Sequence, residues 1–219
     1  MTNLPRGLFI SLEGPDGCGK TTQALAVQRE LAQRGTQAIL TREPGGTMLG
    51  EAIREMLLSS ASSGMSPRTE MLLYAASRAQ HVDEVIRPQL AAGVTVISDR
   101  FVDSSLVYQG LGLSLGMEQV LAVNLAATGG LLPDLTVVLY LSASEARARL
   151  NMKLSQTKAT TDRIESRDVA YQERVAEGYR RLGELFPQRV VLLNADDSVE
   201  GITRGIMDKI HQLERGDGP

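Results

Sequence analysis

A chain of 219 residues, 42% hydrophobic and 22% charged, carries enough apolar sequence for one large core. Its formal net charge of −3 excludes the broad basic stripe of a nucleic-acid surface, so any anionic ligand must be held by local Arg and Lys clusters. No apolar run is long enough to span a bilayer, and a lone cysteine, Cys18, excludes an internal disulfide and suits a reducing cytoplasm.

The N-terminus leads directly into an apolar run at residues 8–13, so no signal peptide is expected and a buried strand is. Gly14-Pro15-Asp16-Gly17-Cys18-Gly19-Lys20-Thr21 follows and fits G-x-x-x-x-G-K-[ST] at every fixed position. Residues 22–34 come next, with Ala24, Leu25, Val27 and Leu31 at helical spacing. Strand, glycine loop and helix together are the context a phosphate-binding loop requires. Glycines let successive N–H groups turn inward, and the helix start adds its own free N–H groups. Lys20 is placed to reach β- and γ-phosphates and the Thr21 hydroxyl to bind Mg²⁺, with Thr22 continuing the loop into the helix. Cys18 reads as a small loop residue rather than a nucleophile, since no histidine lies near it in sequence.

Further strands are expected at 37–41, 94–98, 135–141 and 189–194, separated by helical stretches. The alternation predicts an α/β fold with a five-stranded parallel sheet and helices on both faces. The longest helix is expected over 68–92, with Pro67 in its first turn, a bend or stop at Pro88 and termination at Gly93. Residues 151–161, polar and aperiodic, predict an exposed mobile loop, and the tail from Arg215 predicts fraying.

Ligands of such sheets bind beyond the carboxyl ends of the strands. There lie Asp16, Arg42-Glu43-Pro44, Asp99-Arg100, and the 194–196 turn with Asp196. Asp99 can organise a Mg²⁺ shell and Arg100 can clamp a phosphate. Ser104, Ser105, Tyr108 and Gln109 could read a base edge and sugar, or the serines could simply cap a helix. Tyr74 and Arg78 share one helix face at i, i+4. Taken alone, a core tyrosine and a solvated arginine are the plainer reading of that pair. Arg147, Arg149, Lys153, Lys158 and Arg163 surround the polar segment, as in a basic lid over phosphates.

Residues 97–109, ISDRFVDSSLVYQ, resemble the D-R-[FYH]-x-x-S-S signature and Y-Q pair of thymidylate kinases. Thr41-Arg42-Glu43-Pro44-Gly45-Gly46-Thr47 resembles the T-R-E-P-G-G segment of that family, and Ser77-Arg78-Ala79-Gln80-His81 and Pro133-Asp134-Leu135-Thr136 are similar too. The resemblance spans nearly the whole chain. It implies a P-loop NTPase fold in a single domain over 1–219, with a lid insert about 147–165 and a flexible tail about 214–219.

It also implies transfer of the ATP γ-phosphoryl group to dTMP, with Mg²⁺, in a cytoplasmic homodimer that pairs through the 68–92 helix and binds neither nucleic acid nor membrane. By position, Gly14, Asp16, Gly17, Cys18, Gly19, Lys20, Thr21 and Thr22 hold ATP phosphates, while Arg147 and the turn at Asp196 hold adenine. Arg54 and Arg100 grip the acceptor phosphate, Glu43 and Pro44 join the substrate site, and Asp16 lies near the sugar 3′-hydroxyl and the metal site. Tyr74 stacks on thymine; Arg78, Ser105 and Gln109 contact its edge; Tyr108 packs under the deoxyribose. Thr21 and Asp99 serve the metal. The lid departs from the family pattern: Arg147-Ala148-Arg149-Leu150 lacks the usual glycine, and a longer insert precedes Asp162-Arg163. The catalytic lid arginine is carried onto Arg163, whose replacement by Ala is then expected to lower turnover.

Three rivals stand beside this reading. A kinase of another nucleoside monophosphate, or a deoxynucleoside kinase, would differ in the base-reading set Tyr74, Arg78, Ser105 and Gln109. A GTPase would carry N-K-x-D after a late strand, and none is found. A non-catalytic ATP module would have lost Lys20 or Asp99, and both are present.

Overall fold

Phe9–Glu13 (β1) is buried along its whole length, as an apolar strand must be when helices cover both faces of its sheet. In the computed structural model, which describes residues 6–157 and 161–215, β1 is the middle strand of five. Ala38–Arg42 (β2), Thr95–Asp99 (β3), Leu135–Tyr140 (β4) and Val190–Asn194 (β5) complete the sheet in the order β2-β3-β1-β4-β5, with every neighbouring pair parallel. The strands lie where sequence alternation predicts them. The chain leaves β1 for the far side of β3, then crosses to β4, so the order reverses at the end of β1. That reversal opens a crevice at the glycine loop.

Alternate residues of the strands feed two cores. Ile10, Leu12, Ile97 and Leu139 pack with Val27 of Lys20–Gln33 (α1) and Ile206 of Val199–Arg215 (α9). Phe9, Val96 and Val138 pack on the other face with Met71 of Pro67–His81 (α3), Val120 of Met117–Thr128 (α6) and Tyr179 of Val169–Leu185 (α8). Each fully buried Leu, Ile or Phe side chain contributes about 1.5–3 kcal/mol, which fixes the strand register and the loops beyond it. Met48–Leu58 (α2) packs on α3 and is capped by Thr47, which accepts from the Gly50 amide. Among the described residues, no helix is long and apolar enough to cross a membrane.

Two expectations need correction. The helix expected over 68–92 is interrupted: α3 ends at His81, a wide π-type turn spans Val82–Ile86, and Arg87–Ala91 (α4) finishes the run. Pro88 has no N–H and crowds the preceding turn, so the helix widens just before it instead of stopping. The expected mobile loop at 151–161 is largely helix, since Ala143–Thr157 (α7) runs through its first half. Leu150, Met152, Leu154 and Gln156 are strong helix formers with no Gly or Pro among them, so a helix nucleated at Ala143 propagates. Lys158 and residues 216–219 of the tail lie outside the described residues.

Candidate active site

The loop after β1 bends on three glycines with φ of +135° (Gly14), +86° (Gly17) and +96° (Gly19). A Cβ on Gly14 would lie 2.3 Å from the Leu139 carbonyl oxygen, so the first position admits no side chain. Lys20 arches over this loop and donates to the carbonyls of Gly14 (3.1 Å) and Pro15 (2.9 Å). Cys18 is buried beneath it, and burial pushes its thiol above the usual range, as suits a packing residue. Thr21 Oγ1 lies 2.7 Å from Asp99 Oδ2, bringing the loop hydroxyl to the end of β3.

Arg100 follows at φ +75°, a left-handed conformation that costs a non-glycine residue about 1–2 kcal/mol. Two hydrogen bonds hold it: its N–H donates to Leu12 O (3.0 Å), and its carbonyl accepts from Ser98 Oγ (2.7 Å). The turn sends the guanidinium back over the crevice. There it donates to Asp16 Oδ1 (2.6 Å), Gly14 O and the hydroxyls of Ser104, Tyr108 and Tyr179. Burial opposes ionisation of Asp16, but Arg100 and Lys20 outweigh it and bring the carboxyl down to about 2. Asp16 is therefore an anion at any working pH and cannot serve as a general acid.

Behind this pair sits Glu13, which sequence reading left as a strand residue. Its carboxyl accepts from Phe101 N (2.7 Å), Ser104 Oγ (2.5 Å) and Ser11 Oγ (2.9 Å), fixing the start of the segment that carries Arg100 and Ser105. The signal was an acidic residue closing an apolar strand just before the glycine loop. Burial, with Asp103 adding repulsion, raises its pKa from 4.5 to about 7. Between those pH values the folded state keeps a proton that the unfolded chain has released, so stability falls as pH rises through that window. Glu13→Gln is expected to flatten this part of the curve of melting temperature against pH; an unchanged slope would show that the dependence lies elsewhere.

Two cavities open beyond the strands. One, of about 410 Å³, is lined by the loop, Thr21, Thr22, Asp99, Arg42 and Arg149. The second is lined by Pro44, Tyr74, Arg78, Ser105, Tyr108 and Gln109. Asp16, Glu43, Arg54 and Arg100 line both, so the two cavities meet at a pair of guanidiniums. All ten residues expected around the acceptor substrate line this second cavity. Arg78 is only 1% exposed and spends four of its five N–H groups on Glu43 (2.7 Å), Ser105 (2.9 Å), Asn124 and Phe101 O (3.0 Å). Asn124 and Arg149 were not singled out for these positions from sequence, although Arg149 stood in the basic cluster. Gln109 Nε2 donates to Glu70 Oε1 (3.0 Å), while Gln109 Oε1 is a buried acceptor with no partner among the described residues. Burial pushes the Tyr74 phenol well above its usual range, so its ring presents a neutral face.

Arg163, expected as the catalytic lid arginine, does not line the phosphate cavity. It is 9% exposed, donates to Leu57 O (2.8 Å) and pairs with Glu70 (2.7 Å). A guanidinium reaches a buried carboxylate in preference to open solvent once the fold places the two together. Arg149 of α7 is the lid-side cation at the phosphate cavity instead. It donates to Ala195 O (2.8 Å) and Asp196 Oδ1 (2.9 Å), tying α7 to the turn after β5. Arg147 is exposed and lines a separate shallow pocket beside Pro15 and Leu150. Gly17 lies under α7: a Cβ there would come within 2.8 Å of Ala146 O, which explains the absence of a side chain at that loop position.

Residues 12–206 match the family model of thymidylate kinase. The chain is 47% identical to a thymidylate kinase of an Exiguobacterium species, over 96% of this chain and 97% of that protein. It is 44% identical to that of Caldanaerobacter subterraneus (96% and 98%) and 41% identical to that of Geobacter sulfurreducens (92% and 95%). With a glycine loop, a cation-lined junction and a buried polar cavity arranged in this order, the chain belongs to the thymidylate kinase family of P-loop enzymes.

Proposed function

We propose that this enzyme transfers the γ-phosphoryl group of ATP to dTMP, giving dTDP and ADP for dTTP synthesis, with the two cavities holding the two nucleotides end to end. The observation that carries it is the shared wall: Arg54 and Arg100 stand between a base-sized polar cavity and the phosphate loop. A 5′-phosphate held there faces the γ-phosphate. Thymine offers an N3–H donor flanked by two carbonyls. The partnerless Gln109 Oε1 matches the donor, the remaining Arg78 N–H matches a carbonyl, and the Tyr74 ring supplies a stacking face.

Transfer needs alignment and charge more than covalent chemistry. An oxygen of the dTMP phosphate attacks the γ-phosphorus as the bond to the β,γ-bridging oxygen breaks, and ADP leaves. That oxygen is already anionic, so no general base is required. Lys20 turns from the loop carbonyls to the β- and γ-oxygens, Arg100 and Arg54 hold the acceptor, and Arg149 on the lid helix brings charge to the moving group. The turn at Asp196, held by Arg149, is the adenine end of this reading, while Arg147, which lines a separate pocket, has no contact with that turn, among the described residues, to support an adenine role. Thr21 and Asp99 offer adjacent hard oxygens that suit Mg²⁺, which takes few protein ligands and completes its shell with phosphate and water. When bound, Mg²⁺ neutralises phosphate charge, so EDTA is expected to abolish turnover.

A homodimer belongs to the same reading. The packed helices α2 and α3 expose Leu49, Met56 and Leu72, which a second copy would cover, and light-scattering mass measures it. So does a cytoplasmic location, suited to a free thiol and to nucleotide substrates. ADP release with Mg²⁺–ATP, assayed across dTMP, dUMP, UMP, CMP, AMP and GMP, tests the function. Preference for dTMP with slow dUMP turnover is expected, because one methyl discriminates by only ~1–3 kcal/mol. Preference for any other base would discard the thymine assignment.

A further inference from the structure

Glu70 is fully buried at the start of α3, and its carboxylate is met by three donor side chains, Arg163, Arg167 and Gln109. Its Oε2 takes Arg163 (2.7 Å) and Arg167 (2.5 Å), and its Oε1 takes Gln109 Nε2 (3.0 Å). A carboxylate so placed can only accept. It therefore dictates which end of the Gln109 amide points its way, and the oxygen must point the other way. That oxygen is a buried acceptor without a partner among the described residues, on a side chain that lines the base cavity.

We infer that Glu70 is a specificity-determining positioning residue: by locking the Gln109 amide it sets the cavity to accept a hydrogen bond from a pyrimidine N3–H and to refuse a base whose N3 is itself an acceptor. The inference rests on dTMP being the acceptor substrate. Thymine and uracil carry N3–H; cytosine carries a bare N3 lone pair. An amide locked oxygen-inward pairs with the first two and meets the third lone pair to lone pair. The two arginines are part of the device. They lie in the segment 162–168, whose Asp162 and Ile164 line the same cavity, so one carboxylate joins base reading to that wall.

The test is Glu70→Gln. The two arginines still demand an acceptor, so the new amide gives them its oxygen and turns its NH₂ toward position 109. Gln109 then flips, offering its oxygen to residue 70 and its NH₂ to the cavity. Relative kcat/KM for dTMP against dCMP is expected to shift toward dCMP by about tenfold or more, the scale on which one buried hydrogen bond is lost or made. A purely structural role would lower both values together and leave their ratio unchanged, and an unchanged ratio in folded Glu70→Gln overturns the inference. Should that variant fail to fold, Glu70→Asp keeps the charge and withdraws the carboxylate from Gln109 by one methylene; the same ratio must fall, and a wild-type ratio overturns the inference equally. Wild-type enzyme assayed alongside separates the two claims: absence of dTMP turnover there would sink the substrate assignment itself, not the role of Glu70.

Discussion

Lys20→Ala is expected to lower kcat by about 10³-fold, the range found when one preorganised cation or donor is removed from a phosphoryl-transfer site. The residue is buried to 7% exposure, yet its ammonium is held by two loop carbonyls and more loosely by Cys18 Sγ (3.8 Å) and Asp16 (3.9 Å), an arrangement that leaves it able to swing to a phosphate chain. Its neighbours need it little for folding, because the loop is shaped by glycine and by the packing of Cys18. The melting temperature is therefore expected to stay near wild type while turnover collapses. Retained turnover in a folded Lys20→Ala protein would place the reacting phosphates elsewhere.

The second large effect separates two arginines that sequence alone could not rank. Arg149→Ala is expected to lower kcat by about 10²–10³-fold with the KM for dTMP within about threefold, because the charge it supplies acts on the transferring group rather than on the bound monophosphate. Arg163→Ala is expected to behave the other way. Removing it strips Glu70 of one of two guanidinium partners in a buried site, a loss of about 3 kcal/mol that lowers the melting temperature. Per folded molecule its kcat stays close to wild type. Steady-state kinetics with thermal melts of both variants decide the matter: a kinetic defect in Arg163→Ala without loss of stability, and none in Arg149→Ala, would reverse the assignment.

That reversal between expectation and structure shows what kind of information a sequence carries. The strands were legible because a strand buried on both faces is written as an uninterrupted apolar run, and the chemistry was legible because each run ends on residues such as Asp16, Asp99 and Arg100. The cavity residues were legible as a set because they travel in short motifs: Arg42-Glu43-Pro44, and Ser104 through Gln109. The surroundings of Arg163 were not legible, because the motif gives its residue type, whereas its partner is decided by a fold that brings Glu70 to it across the helix packing. Glu70 was invisible for the same reason, and Glu13 showed only as an acidic residue closing its strand. Each acts through contacts far along the chain, Glu13 on Phe101 88 residues away and Glu70 on Arg167 97 residues away, and no local pattern encodes such a pairing. The second half of α7, from Asn151, was misread as a loop because a weakly amphipathic helix lacks the apolar stripe that periodicity detects, while its propensity alone suffices to form it.

The central claim is that one polar cavity, joined to the phosphate loop through Arg54 and Arg100, holds dTMP by its base and its phosphate at once. The most direct measurement is a crystal structure of the enzyme with dTMP and Mg²⁺–ADP. The account predicts thymine against Tyr74, its N3–H on Gln109 Oε1, and its phosphate between Arg54 and Arg100 facing the β-phosphate of ADP. A monophosphate seated outside this cavity, or with its phosphate turned away from the loop, would contradict it.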